Sequence, residues 1–195
     1  MNNPALLIID LQKGFDQEAH WGGQRNNRNA EPNIVKIVAH WRQLNYPVFH
    51  ILHSSQEPDS PLHKSKPGFE MKDEVQPLTN EPVIVKNVNS AFIGTDLKER
   101  LNNSHISDIV IVGLTTNHCV STTTRMAGNY GFQVKLISDA TAAFDRKGVN
   151  GAFFTAETIH QTALASLDRE FAQVIDTKTL LLNVYSIIVG DTVCN

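Results

Sequence analysis

Cys119 stands in the stretch GLTTNHCVS, residues 113–121, directly after the apolar run DIVIV. A run of Ile and Val that closes on Gly-Leu-Thr-Thr reads as a buried strand that stops abruptly. The residues that follow, CVSTTTRMAGNYG, read as a helix opening at the thiol. The thiolate is the reactive form of cysteine, and a helix N-terminus and a nearby cation both favour it. Two other apolar runs end on chemistry-bearing groups. Asp10 closes ALLIID and Lys86 closes PVIVK. A carboxylate, an ammonium and a thiol together make a nucleophile system. Asp10 takes the thiol proton and later helps activate water, and Lys86 holds the thiolate. Backbone N–H groups of Thr115 and Cys119 at the turn are candidates for holding an oxyanion. Singly, each residue has an ordinary role: a helix cap, a surface lysine, a small core hydrophobe. At one rim, the three favour catalysis. A strand-end lysine packs through its stem, so loss of the Lys86 charge is expected to reduce turnover and leave the fold intact.

The elements that must position them are six short apolar runs: ALLIID (5–10), PVFHIL (47–52), PVIVK (82–86), DIVIVG (108–113), FQVKLISDA (132–140) and AQVIDT (172–177). Their nearly continuous Val/Ile/Leu character suits parallel strands covered on both faces. Helical patterns lie between most of them. Ile34, Ile37, Val38, Trp41 and Leu44 recur at helical spacing, and Ala156, Ile159, Ala163 and Leu167 share a face. Alternating strands and helices predict an α/β fold, a doubly wound and mainly parallel sheet with helices on both faces. Ligands in such sheets bind outside the carboxyl ends of the strands, where Asp10, Lys86 and Cys119 fall. Residues 14–30 and 53–81 are long polar stretches outside this rhythm, of the kind that is functional or disordered.

The chain has 195 residues, which suits one domain over 1–195, with an apolar C-terminal extension from about 183 that reads as an added strand or a subunit contact. A net charge of −3 without a basic block speaks against a nucleic-acid partner. No run is long enough to span a membrane, and the N-terminus lacks the pattern of a signal peptide. Two cysteines, Cys119 and Cys194, form no disulfide framework, which fits a cytoplasmic location.

The blocks LLIIDLQKGF, VIVKNVNSAFIGTDL, VGLTTNHCVSTTTRMAGNYGFQV and DATAAFDR resemble the isochorismatase-like cysteine hydrolases, over about residues 5–182. The resemblance implies an Asp–Lys–Cys triad at Asp10, Lys86 and Cys119. It also implies a cis peptide at Leu114–Thr115 that aims the Thr115 N–H into the oxyanion hole. The expected reaction is hydrolysis of a C–N, amide-type bond in a small molecule through a thioester, by a homo-oligomer, dimer or tetramer. The alternatives are a metal-assisted nicotinamidase, an isochorismatase-type hydrolase, and a non-catalytic redox or ligand-binding relative.

Eight histidines invite a metal hypothesis. His50 and His53 are three apart, so on one strand they point to opposite faces, which is poor ligand geometry. His50 then reads as core, His53 as pocket lining, and His63 as loop surface, and neither metal nor cofactor is expected. His118 and His160 read as structural. Phe15, Trp21, His53, Phe92, Asn117 and Phe144 are the candidates for binding substrate, with Arg146 beside Asn117 for a polar group. Arg25 and Arg28 read as surface charge, and Cys194 as inert.

Overall fold

The computed structural model describes residues 3–182. The tail beyond 182, with Cys194 and the expected subunit contact, lies outside the described residues. The elements run β1 (Ala5–Ile9), α1 (Glu18–Trp21), α2 (Ala30–Gln43), β2 (Val48–His53), β3 (Val83–Lys86), α3 (Leu97–Asn103) and β4 (Asp108–Leu114). Then follow α4 (Ser121–Asn129), β5 (Gln133–Ala142), the short β6 (Arg146–Lys147) and β7 (Phe153–Phe154), α5 (Ala156–Ala165) and β8 (Gln173–Ile175). Six strands form one sheet in the order β3-β2-β1-β4-β5-β8, and every pair in it is parallel. The six apolar runs are these six strands, shifted by a residue or two at their ends.

The alternation of side chains along each strand explains the composition. Leu6, Ile8, Val48, Leu52, Val110 and Val112 share one core cluster with Ile34, Ile37, Val38 and Trp41 of α2. The intervening Leu7, Ile9, Phe49, Ile51, Ile109 and Ile111 form the other, with Leu97 and Leu101 of α3, Ala127 of α4 and Leu164 of α5. Both faces are therefore buried, and a strand with two dry faces has no place for polar alternation. Burying each Leu or Ile contributes about 1.5–3 kcal/mol, so these twelve positions dominate the fold. The Trp41 indole N–H donates to the Pro4 carbonyl at 2.9 Å, which ties the end of α2 to the start of β1. α3 has no counterpart in the sequence pattern. Its seven residues bury only Leu97 and Leu101, too few to show a period.

The two polar stretches are folded. Residues 13–16, 67–69 and 73–75 form 3-10 turns, and the loops lie against each other where Gly14 and Gly68 meet. A Cβ on Gly68 would stand 2.8 Å from the Gly14 Cα and 2.5 Å from the Pro61 carbonyl oxygen, so neither loop can carry a side chain there. Gly113, near the end of β4, has φ +119°, and a Cβ on it would fall 2.0 Å from the Ile9 carbonyl oxygen. Only glycine allows β4 to run this close to β1 beside Asp10.

Candidate active site

Strand order brings together residues far apart in sequence. Across β2 and β3, His53 is in register with Lys86, and across β1, Ile9 pairs with Ile51 on one side and Gly113 on the other. The carboxyl ends of β3, β2, β1 and β4 thus lie side by side and deliver Lys86, His53, Asp10 and the Cys119 turn in that order. β1 and β4 are where the strand order reverses, the usual position of a ligand crevice. Asp10 takes a left-handed conformation, φ 50°, which Asp tolerates better than most residues. Its amide donates to the Ile51 carbonyl at 2.9 Å.

The Lys86 ammonium donates to Asp10 Oδ2 at 2.8 Å, and both side chains are fully buried. It also lies 3.1 Å from His53 Nδ1, which must therefore accept. Burial, and next the Lys86 charge, hold the His53 ring below its ordinary range, so it is neutral at pH 7. Lys86 is more than a lysine packed through its stem. Its head is buried too, bonded to Asp10 and to His53, its register partner across β2 and β3.

Cys119 lies in a single wide turn, Thr116–Val120, closed by a five-residue bond from the Val120 N–H to the Thr115 carbonyl at 3.3 Å. α4 begins only at Ser121, so the thiol precedes the helix rather than opening it. The Leu114–Thr115 peptide is cis. Thr116 Oγ1 meets His160 Nδ1 at 2.8 Å, which fixes the turn against α5 and satisfies a histidine that is 2% exposed. The Cys119 thiol donates to Asn89 Oδ1 at 3.8 Å.

The electrostatics of the thiol correct the expectation of a resting thiolate. Burial, then the negative charge of Asp10, push the Cys119 thiol well above its ordinary range, and Lys86 offsets this only in part. The resting site therefore holds a neutral thiol beside a carboxylate whose Oδ1 makes no hydrogen bond among the described residues. A carboxylate oxygen of Asp10 lies within 4.8 Å of the Cys119 sulfur.

Cys119 opens into a cavity of about 200 Å³ that Phe15, Trp21, His53, Asn89 and Thr115 help to line. Phe15 and Trp21 form one wall with ring centroids 4.7 Å apart, and Phe144 stacks behind Phe15 at 6.2 Å. Phe144 supports this wall rather than facing the space. Phe92 is not brought there either: it packs against Phe132 at 6.0 Å and Tyr130 at 5.5 Å in the core under α3 and α4. Asn117 also lies outside the lining, its amide 3.4 Å from His118 Nε2. Positions two apart in this wide turn face different sides, which the proximity of Asn117 to Cys119 in sequence does not reveal. A wider groove of about 680 Å³ lies at the opposite strand ends, by Asp108, Gln133 and Phe171.

Five residues contribute to the site without a signal of their own in the sequence. Gln12, fully buried, accepts from the His53 N–H at 2.8 Å and donates to the carbonyls of His53 at 3.1 Å and Phe69 at 2.8 Å, and so staples β2 to the loop above the cavity. Asn89 faces the thiol, and Ser55, Ser60 and Leu62 bring the long 53–81 loop to the cavity. Gln12 and Asn89 lie within the blocks LLIIDLQKGF and VIVKNVNS, so position relative to Asp10 and Lys86 was the available signal.

His50 and His53 do point apart. The His50 Nε2–H donates to the Glu81 carboxylate at 2.8 Å on the α2 side. The structure nonetheless assembles a set of potential metal ligands that spacing did not suggest: Asp10, His53 and Cys119 place their ligand atoms within 4.8 Å of one another. The Lys86 ammonium already bonds the carboxylate and the imidazole of that set. A metal ion would have to displace a buried cation, so these residues do not fit one.

Comparison with known proteins bears on the whole chain. Residues 4–179 match the isochorismatase domain. The chain is 50% identical over 177 residues to the uncharacterized isochorismatase family protein YrdC of Bacillus subtilis, covering 91% of this chain and 94% of that one. It is 28% identical to Nicotinamidase 3 of Arabidopsis thaliana, over 90% of this chain and 86% of that one. A solved structure of an isochorismatase-family protein from Chromobacterium violaceum superimposes with a TM-score of 0.89 at 38% identity, covering 93% of each chain. On its sheet order, on the residues gathered at the strand ends and on these similarities, the chain belongs to the isochorismatase family.

Proposed function

We propose that the protein is a cysteine hydrolase that cleaves an amide-type C–N bond of a small molecule through a thioester. The observation that carries the reading is the buried thiol of Cys119 beside Asp10, whose Oδ2 is held by Lys86 while Oδ1 is unengaged. In the first half-reaction, Asp10 Oδ1 takes the thiol proton as sulfur attacks the carbonyl carbon. Because the resting thiol is neutral, proton transfer and attack run together, and no thiolate has to persist. N–H groups of Thr115 and Cys119 stabilise the oxyanion. The C–N bond then breaks, the amine leaves with the proton from Asp10, and a thioester remains on Cys119. In the second half-reaction Asp10 takes a proton from water, hydroxide attacks the thioester, and collapse releases the acid while the proton returns to sulfur. Lys86 holds the Asp10 carboxyl in place through Oδ2, with His53 as its second partner. The cavity of about 200 Å³ is below the usual range for drug-sized ligands, which favours a small substrate.

Incubation with a panel of small primary amides, followed by mass spectrometry of the intact protein, tests the reading. An acyl mass on Cys119 that clears with time, together with ammonia release that Cys119→Ser abolishes, is the expected result. Turnover that survives Cys119→Ser would overturn it.

A further inference from the structure

One buried histidine touches the nucleophile turn from outside the cavity. His160 stands in the middle of α5, 2% exposed, and does not line the space into which Cys119 opens. Its Nδ1 lies 2.8 Å from Thr116 Oγ1. Thr116 is fully buried and begins the wide turn, so it stands between Thr115 and Cys119, whose N–H groups are assigned to the oxyanion. A single turn of this kind is rare and recurs at functional sites. It is weakly closed from within: one carbonyl, that of Thr115, accepts from both the His118 N–H at 3.1 Å and the Val120 N–H at 3.3 Å. Its shape therefore rests on contacts from outside.

The far side of the ring is built in as well. Its Nε2 lies 3.3 Å from Asn27 Nδ2. The Asn27 amide donates its two protons to the Ser138 carbonyl at 2.9 Å and the Thr141 carbonyl at 2.8 Å, across the stretch where β5 slips register against β4. Asn27 takes a left-handed conformation, φ 40°, which asparagine tolerates. Burial holds the His160 ring below its ordinary range, against the Glu157 charge and the Ser138 carbonyl, which raise it, so the ring is neutral at pH 7. Both Asn27 protons are engaged and a carbonyl only accepts, so the ring proton is assigned to Nε2, the side that faces Ser138. Nδ1 is left as an acceptor, and the Thr116 hydroxyl donates to it.

Resting on the oxyanion assignment of the hydrolase reading above, we propose that His160 is a positioning residue of the reaction: through Thr116 it sets the spacing of the Thr115 and Cys119 N–H groups that receive the oxyanion. The line runs from β5 through Asn27 and the ring to Thr116, and it enters the turn between the two donors. His160 touches no reacting atom and carries no proton in the chemistry. Oxyanion donors act within about 2.7–3.1 Å of the developing charge, so a small shift of either one is felt in the rate. The effect is confined to carbonyl chemistry at Cys119 and leaves the reactivity of the sulfur itself unchanged.

Two reagents separate these effects. Iodoacetamide alkylates the sulfur without forming an oxyanion. p-Nitrophenyl acetate passes its acetyl group to the sulfur through a tetrahedral oxyanion and loses p-nitrophenolate. Both rates depend on the reactivity of the thiol, so the ratio of acylation to alkylation reports the oxyanion hole. It is measured at Cys119 by p-nitrophenolate release and intact mass in a Cys194→Ser background, with N-acetylcysteine as the thiol that has no hole. The parent exceeds N-acetylcysteine in this ratio by about tenfold or more. His160→Leu and Thr116→Val each lower it by about tenfold or more at nearly unchanged alkylation, and the double variant falls no further than either. Thr116→Ser keeps the hydroxyl and His160→Asn puts an amide oxygen in place of Nδ1, so each recovers the ratio to within about threefold of the parent. Variants that lose acylation and alkylation together, or a ratio unchanged in Thr116→Val, overturn the proposal and leave the hydrolase reading standing. A parent ratio no higher than that of N-acetylcysteine removes the oxyanion hole on which both rest.

Discussion

Asp10 and Lys86 act on the Cys119 thiol with opposite sign, and this separates the proposed roles in one experiment. Asp10 pushes the thiol up and Lys86 pulls it down. The Asp10→Asn change keeps the shape of the side chain, and Asn also accepts the left-handed backbone at φ 50°. A carboxylate oxygen of Asp10 and the sulfur lie within 4.8 Å. At an effective dielectric constant of about 20, two unit charges at that distance interact by roughly 3.5 kcal/mol, or about 2.5 pH units. Below its midpoint the thiolate fraction therefore rises about 300-fold when the carboxylate charge is removed. A less basic thiolate is also less nucleophilic, with a Brønsted slope of about 0.4–0.5, so the net gain in reactivity is roughly 20- to 30-fold. The assay is iodoacetamide alkylation at pH 8 in a Cys194→Ser background, followed by intact mass. Asp10→Asn should alkylate faster by that factor while amide turnover falls by orders of magnitude. Lys86→Met should alkylate more slowly than the parent. If Asp10→Asn is no faster, or Lys86→Met is faster, Asp10 and Lys86 do not control the thiol as the geometry requires.

Lys86→Met leaves a buried carboxylate unpaired, which costs about 3–5 kcal/mol and should lower the melting temperature by roughly 6–20 °C for a chain of this size. The double variant Asp10→Asn/Lys86→Met removes both charges and should regain most of that loss without regaining activity, and strictly additive losses in thermal melts would argue against a coupled pair. At the opposite rim, burial would raise Glu81, but hydrogen bonds from Arg42, the Leu78 N–H and His50 outweigh it and bring Glu81 to about 2 from an ordinary value of 4.5. A carboxylate depressed on folding stabilises the native state above its unfolded value, so on the order of 3 kcal/mol should be present above pH 4.5 and be lost as pH falls toward 2. Denaturant titrations of Glu81→Gln should lack that slope, and a slope unchanged from the parent would contradict the assignment. Prolonged dialysis against a chelator should leave amide turnover within twofold, because Lys86 holds the cation position between Asp10 and His53. Activity lost on chelation and restored by zinc or iron would instead support the metal-assisted reading.

Much of this protein is written in local patterns. ALLIID, PVFHIL and DIVIVG became strands because a strand covered on both faces must be apolar at every position, and that constraint is visible in six residues at a time, whereas PVIVK forms the edge strand and leaves Val83 and Val85 exposed on one face. Asp10, Lys86 and the Thr115–Cys119 turn were legible because reactive groups at strand ends interrupt those runs. The sign of the thiol's perturbation was not legible. It depends on how deeply Cys119 is buried and on its distance to a carboxylate 109 positions earlier in the chain, both set by strand order. For the same reason the buried head of Lys86, its contact with His53 and the facing of Asn89 emerged only in the folded chain. Aromatic residues illustrate the limit: Phe15, Phe92 and Phe144 are alike in sequence, yet one lines the cavity, one stacks behind it and one packs in the core. Local periodicity reports whether a side chain is buried. Which of two buried places it occupies is decided by the elements that pack across from it, and those come from distant parts of the chain.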